Sequence, residues 1–286
     1  MKNQERTKKY DPEPQRPRKV FRKLGTCSRT LFYILNREFE HPNVEAEVAI
    51  DPLAGGILAR GHQCGMLWGA SMAAGAEAYR RFDDLQEAMA LAVLATRSIM
   101  DSFVQREGTI NCREITHCDF SNNWSFAKYF LTGRFLHCFR LAEEWAPEAI
   151  EIAKEALQKS SRSLISGPVS CASEVARRMG ASDEQMVMVA GFAGGLGLSG
   201  GGCGALAAAM WLNTLEWCRE REINSAFHNP AAEATMKAFE EVTDGQILCQ
   251  QITGEKFTFK SHNAHIEQGG CAEIMSCLTA TSVGAC

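Results

Sequence analysis

Apolar residues recur at helical spacing through most of the chain, and alternating strand patterns are scarce. This predicts an all-α protein. Start signals agree. Asp83 stands before LQEAMALAVLATRSIMDSF with Gln86 three residues on, the spacing of a capping box. Ser182 with Gln185 gives the same signal before MVMVAGFA, and Asn229 followed by Pro230 reads as an N-cap and first helical residue. A further amphipathic helix is expected over Ala142–Leu157. The helices are expected to form compact bundles.

One stretch breaks this pattern: GGLGLSGGGCGALAAAM, Gly194 to Met210. Gly195, Gly197 and Gly200 satisfy the dinucleotide fingerprint, and Glu216 lies 21 residues after Gly195. The context is wrong for a nucleotide, because a helix cap precedes the stretch and Glu216 belongs to the helix that follows it. No Gly-Lys-Ser/Thr is present either. Residues 186–215 carry no charge and are long enough to span a bilayer, yet eight of those thirty are glycine. The remaining reading is a cysteine site. A helix starting near Gly202 would aim free N–H groups and its positive end at Cys203, favouring a thiolate or an anionic cluster.

The chain contains this stretch twice. Ala54–Ala70 and Ala193–Ala209 align without a gap at an offset of 139, with eight of seventeen positions identical. The earlier copy carries Asp51 and Arg60 in the corresponding segment, which speaks against a membrane span for either. Further along, FVQREGTINCREIT (Phe103–Thr116) matches FEEVTDGQILCQQIT (Phe239–Thr253). Four cysteines thus recur in order: Cys27, Cys64, Cys112 and Cys138, then Cys171, Cys203, Cys249 and Cys271. Cys118 and Cys277 lie near members of the pattern and are candidate substitutes; Cys218 and Cys286 fall outside it. The expected architecture is two similar helical-bundle domains in tandem, at 24–157 and 169–286, behind a flexible basic tail at 1–23. The join falls in the Ser-rich QKSSRSLISGP, Gln158–Pro168.

Charge and composition refine the picture. Residues 1–25 hold nine Lys/Arg and three Asp/Glu, whereas the whole chain of 286 residues has a net charge of −4. The tail reads as disordered, with an anionic partner as its functional option. No apolar stretch follows it, so a cytoplasmic protein without a membrane span is expected. In a reducing compartment, twelve cysteines point to metal or redox chemistry. Cys-x-x-Cys occurs nowhere, which argues against zinc ribbons, thioredoxin-type pairs and the bacterial ferredoxin run. Gaps of 22–48 residues place each pattern cysteine on a different helix or helix end, from which four sulfurs could meet inside a bundle. Four thiolates suit [2Fe–2S], [4Fe–4S] or zinc.

The ordered cysteines and the Cys-Gly segments CGMLWG (Cys64–Gly69) and CGALAA (Cys203–Ala208) resemble the C-GCAxxG-C-C proteins, described as redox-active. The family unit is one domain of about this half-length with four cysteines, so the chain resembles a tandem pair over residues 24–150 and 170–284. Met66 and Ala208 each depart once from the motif, and neither removes a thiol. A related helical domain in a multihaem cytochrome holds an iron–sulfur cluster, and the resemblance implies one here. An electron-transfer protein is therefore expected, with one cluster of [2Fe–2S] type per repeat, an electron-transfer partner protein, and room for a homo-oligomer. Two alternatives stay open. One is a metal-free thiol–disulfide or sensor protein in which Cys64 or Cys203 is the activated nucleophile. The other is a structural zinc scaffold. Arg60, His62, Gly65 and Gly204 flank the Cys-Gly pairs, and the Arg60 charge is expected to make the first unit the more easily reduced. His117 and His137 adjoin cysteines, but isolated histidines more often serve as surface or capping groups. No paired-carboxylate or Ser-His-Asp set points to stand-alone catalysis.

Overall fold

The computed structural model describes residues 16–158, 170–221, 223 and 225–281. The expected all-α class holds, and among the described residues there is no strand, only two isolated backbone bridges. The first unit contains α1 (Pro17–Leu24), α2 (Cys27–Glu38), α3 (Val44–Ala49), α4 (Gly65–Arg81), α5 (Leu85–Glu107), α6 (Cys112–Thr116), α7 (Asn123–Leu131) and α8 (Phe135–Ala156). The second contains α9 (Cys171–Arg178), α10 (Asp183–Met188), α11 (Gly204–Arg219), α12 (Pro230–Val242), α13 (Cys249–Thr253), α14 (Phe259–Glu267) and α15 (Ala272–Ala280). The sequence offset of 139 carries α3 onto α10, the start of α4 onto that of α11, and a 3₁₀ turn at Asp51–Leu53 onto one at Ala190–Phe192.

Local chemistry explains most boundaries. Ser182 and Gln185 form the expected capping box, and Asn229 accepts from the Ala232 N–H with Pro230 next in line. The start of α5 differs from expectation by one residue. Asp84, not Asp83, caps it by accepting from the Glu87 N–H. The amphipathic helix expected from Ala142 begins at Phe135 and tolerates Pro147 inside it, which places Cys138 near its start.

The tail differs as well. Pro17–Leu24 is helical, with Pro17 at its first position and Gly25 at its left-handed end. Its basic residues fall on one side, while Val20 and Phe21 are buried. Phe21 packs edge-on against Phe139 of α8, their ring centroids 4.8 Å apart. Apolar burial on this narrow stripe overcomes the polar composition. Residues 1–15 and most of the Gln158–Pro168 join lie outside the described residues. No described helix is long and apolar enough to cross a membrane.

The repeats do not stand apart like beads. One continuous apolar core runs through both. α3 packs on α11 and α10 on α4, so each unit lends its short helix to the other's Cys-Gly helix. The Trp211 indole donates to the Ala46 carbonyl at 3.2 Å, and Trp68 meets Phe192 edge-on at 4.9 Å. Gly75 of α4 lies so close to α10 that an added Cβ would sit 2.5 Å from the Val187 carbonyl oxygen. Asp51 is fully buried, accepting from the Thr26 hydroxyl and from the Ala226 N–H of the second unit at 3.0 Å, with Arg29 3.8 Å away. Burial pushes its carboxyl above the usual carboxylate range despite these partners.

Two outcomes test this interlocked arrangement. Gly75→Ala should lower unfolding stability by about 1–3 kcal/mol through overpacking against α10, with wild type and variant both unfolding in one transition in urea; two separate transitions would contradict the shared core. Asp51 favours its proton more in the folded than in the unfolded chain. Its contribution is therefore fully present below the ordinary carboxylate range and is lost as pH rises through the folded value. Thermal unfolding of wild type and Asp51→Asn should show the wild type gaining relative stability as pH falls; an unchanged difference would refute this.

Candidate functional site

Seven of the eight pattern cysteines stand at the start of a helix, and Cys138 lies in the first turn of one. Cys64, Cys203 and Cys271 are N-caps of α4, α11 and α15. Cys27, Cys112, Cys171 and Cys249 are the first residues of α2, α6, α9 and α13, and Cys138 is the fourth of α8. Helix starts present unpaired N–H groups and the positive end of the helix dipole, an arrangement that favours sulfur-borne negative charge.

A strained turn brings these starts together. Gly55–Ala59 has five consecutive residues at positive φ, between 49° and 80°, and Gly194–Leu198 repeats this between 55° and 80°. Such left-handed backbone costs roughly 1–2 kcal/mol per non-glycine residue, and Ile57, Leu58, Ala59, Leu196 and Leu198 all bear it. Long-range backbone bonds hold each turn. Gly61 N–H donates to Gly55 O and His62 N–H to Gly56 O, while Gly200 and Gly201 N–H do the same to Gly194 O and Gly195 O, all within 3.0–3.2 Å. The turn then aims the Gly55 N–H at the Cys27 sulfur, and the Gly194 N–H at that of Cys171.

A second device joins the middle cysteines. Cys64 N–H donates to Ile110 O at 2.7 Å and Cys112 N–H to His62 O at 2.6 Å; Cys203 to Ile247 and Cys249 to Gly201 repeat the pair at 2.8 and 2.6 Å. Cys27, Cys64, Cys112 and Cys138 line one cavity. Gly65 is required there, because a Cβ would stand 2.5 Å from the Cys27 sulfur; at Gly204 it would stand 1.9 Å from the Phe192 carbonyl oxygen.

Electrostatics follow from this crowding. The Cys64 thiol hydrogen-bonds the Cys27 sulfur, and with the amides of Gly55 and Ser28 it offsets burial and holds Cys27 down to about 7. Cys64 is correspondingly pushed well up, first by that bond and then by burial. Burial, reinforced by Cys27 and Cys138, raises Cys112 well above the usual thiol range, and burial brings Cys138 to about 11. In the second unit burial, with repulsion from neighbouring thiols, brings Cys171 to about 11 and Cys203 to about 12. Cys249 is raised by burial and by Cys203, Cys171 and Cys271 together. Each set therefore interacts around one place. Among the described residues, however, no three His, Cys, Asp or Glu side chains are grouped as they would be around one metal ion.

The flanking residues divide. Arg60 is paired with Glu240 of the second unit, which offsets part of its charge. His62 titrates below the usual histidine range, through burial and then Arg60 and Arg113. His137 pairs with Glu107 at 2.8 Å, and the backbone carbonyl of His117 accepts from Arg134 at 3.0 Å. Cys118 is buried beside the Ser125 hydroxyl, and the Cys277 thiol donates to the Ala238 carbonyl. Two groups escaped the sequence reading. The Tyr129 hydroxyl lies 3.5 Å from the Cys138 sulfur, and His265 Nε2 lies 3.4 Å from that of Cys271. Their only sequence signal was a position on the helix before the last pattern cysteine.

The centres adjoin. Gln63, fully buried directly before Cys64, reaches into the space left by missing side chains at Gly201 and Gly202, directly before Cys203. A Cβ at Gly201 would sit 1.3 Å from Gln63 Nε2.

No curated protein and no solved structure matches the chain significantly. A family model does, twice: the one described as "Putative redox-active protein (C_GCAxxG_C_C)" covers residues 26–152 and 169–282. With both copies carrying their four cysteines at helix starts or in a first helical turn around a common place, the chain belongs to the C_GCAxxG_C_C family as a tandem duplication of its unit.

Proposed function

We propose that each unit holds one iron–sulfur cluster of [2Fe–2S] type on its four pattern cysteines, and that the chain passes electrons between the two centres and a partner protein. The observation that carries this reading is the placing of seven cysteines at helix starts and Cys138 in a first helical turn, four to a unit and electrostatically coupled within it. The donor set fits in number and chemistry, since four soft thiolates suit such a cluster. Cys27 and Cys64 lie in hydrogen-bond contact, close enough to serve one metal centre together. When bound, the cluster would supply reversible one-electron storage.

The chain's own residues do the rest. Helix-start amides and the turn amides of Gly55 and Gly194 donate toward sulfur, which stabilises negative charge there and tunes the potential. Gln63 against Gly201 and Gly202 provides a short packed connection between the sites, in keeping with electron exchange between them.

A second reading has one specific observation behind it. Cys27 and Cys64 lie in hydrogen-bond contact, and the depressed thiol is Cys27 rather than the expected Cys64. The reason is that Cys64 donates its proton toward Cys27. Metal-free, this pair could cycle between dithiol and disulfide.

Anaerobic purification separates the readings. The cluster predicts visible charge-transfer bands that bleach with dithionite, about two irons and two sulfides per unit, and loss of half the iron when Cys203 is replaced by Ser. A colourless chain whose Cys27 traps as a mixed disulfide would favour thiol exchange, and stoichiometric zinc without colour would sink both. In the reduced metal-free chain, Cys27 should be the first thiol alkylated at neutral pH, and Cys64→Ala should slow that alkylation about tenfold or more by removing the donor to its thiolate; equal rates in the two proteins would contradict the assignment.

A further inference from the structure

The cavity beside the first four cysteines has a volume of about 630 Å³, within the range of roughly 300–1,000 Å³ typical of small-molecule sites. Its walls are aromatic. Phe126, Tyr129 and Phe130 come from α7, Phe135 and Phe139 from α8, and Phe227 from the second unit. These rings meet edge to face, with Phe126–Phe130 centroids 5.0 Å apart and Phe135–Phe139 5.8 Å apart. Phe126 and Phe130 remain 43% and 49% exposed, so they form a mouth open to solvent. Among the described lining residues Arg22 is the one Lys or Arg, and none is Asp or Glu. The second unit is built differently: α14, in the place of α7, carries His262, His265 and Ile266.

We propose that this cavity binds an uncharged planar ring of the quinone class, held between the α7 and α8 aromatics and against the thiols of the first unit. Flat aromatic walls suit a flat ring through offset and edge-on contacts. The four thiols lining the same cavity put it within reach of redox chemistry, and in this the inference rests on the redox reading above. Reduction of the ring to hydroquinone takes two electrons and two protons. Two equivalents of a reduced one-electron carrier protein supply the electrons in succession, each carrier being oxidised by one electron, and solvent at the open mouth supplies the two protons. The duplication would thereby have specialised, the first unit taking a small molecule on aromatic walls that the second does not repeat on α14.

Equilibrium dialysis of the full chain against duroquinone tests this, since that ring is fully substituted and cannot add to thiols. One saturable site per chain is expected. Phe130→Ala and Phe126→Ala, both at half-exposed positions, should each weaken it about tenfold, and Ile266→Ala should leave it unchanged. No saturable uptake, or equal uptake by all three variants, would overturn the proposal. So would retention of the chain on phosphatidylcholine vesicles without saturable quinone binding, which would assign the aromatic face to a lipid surface. Dialysis of both iron-loaded and metal-free chain keeps the two readings distinct: uptake by a chain that never takes up iron removes the cluster and leaves the cavity, and a coloured chain without uptake does the reverse.

Discussion

Four thiols held around one place, two of them buried and two half-buried, cannot all ionise unless positive charge joins them. Desolvation and mutual repulsion keep most of their protons on, as the raised values of Cys112, Cys203 and Cys249 record. Only at Cys27 does the opposite influence prevail, through the hydrogen bond from Cys64 first and the amides of Gly55 and Ser28 after it. Redox chemistry at these thiols is in keeping with the family to which the chain belongs.

The fold bears a cost to maintain that arrangement. Three non-glycine residues in one turn and two in the other are left-handed, roughly 2–6 kcal/mol per turn. Strain of this size persists where surrounding structure over-determines it. Here the surroundings include the other repeat: Ile57 and Leu196 are fully buried in the common core, and Gln63 of one unit fills the glycine space of the other. The exchange of α3 and α10 across the middle makes the duplication resemble a symmetric dimer fused into one chain. Fusion permits what a symmetric dimer cannot have, namely different walls around the two centres.

Much of this was legible in the sequence because cysteine and glycine are placed by chemistry and backbone rather than by packing. The recurrence of Cys64-Gly65 as Cys203-Gly204 identified the helix starts, and Ser182 and Asn229 marked their helices through capping alone. Adjacent acids at 83 and 84 can both cap, and only the chain's path selects Asp84. Pro17–Leu24 was hidden because two buried side chains among basic residues give a weak pattern. Contacts between distant positions left no local trace. Arg60 finds Glu240 across 180 residues, and the Tyr129 and His265 contacts to sulfur depend on the loops that close each unit. The left-handed turns were half visible, in Gly55 and Gly194 but not in Ile57 or Leu196.

Iron K-edge X-ray absorption on the anaerobically prepared chain tests the central claim most directly. The account predicts an all-sulfur first shell and a second iron as nearest metal neighbour, with the full signal halved when either set of four cysteines is removed. A shell containing nitrogen or oxygen, a lone metal without a neighbour, or a signal indifferent to one set would contradict it.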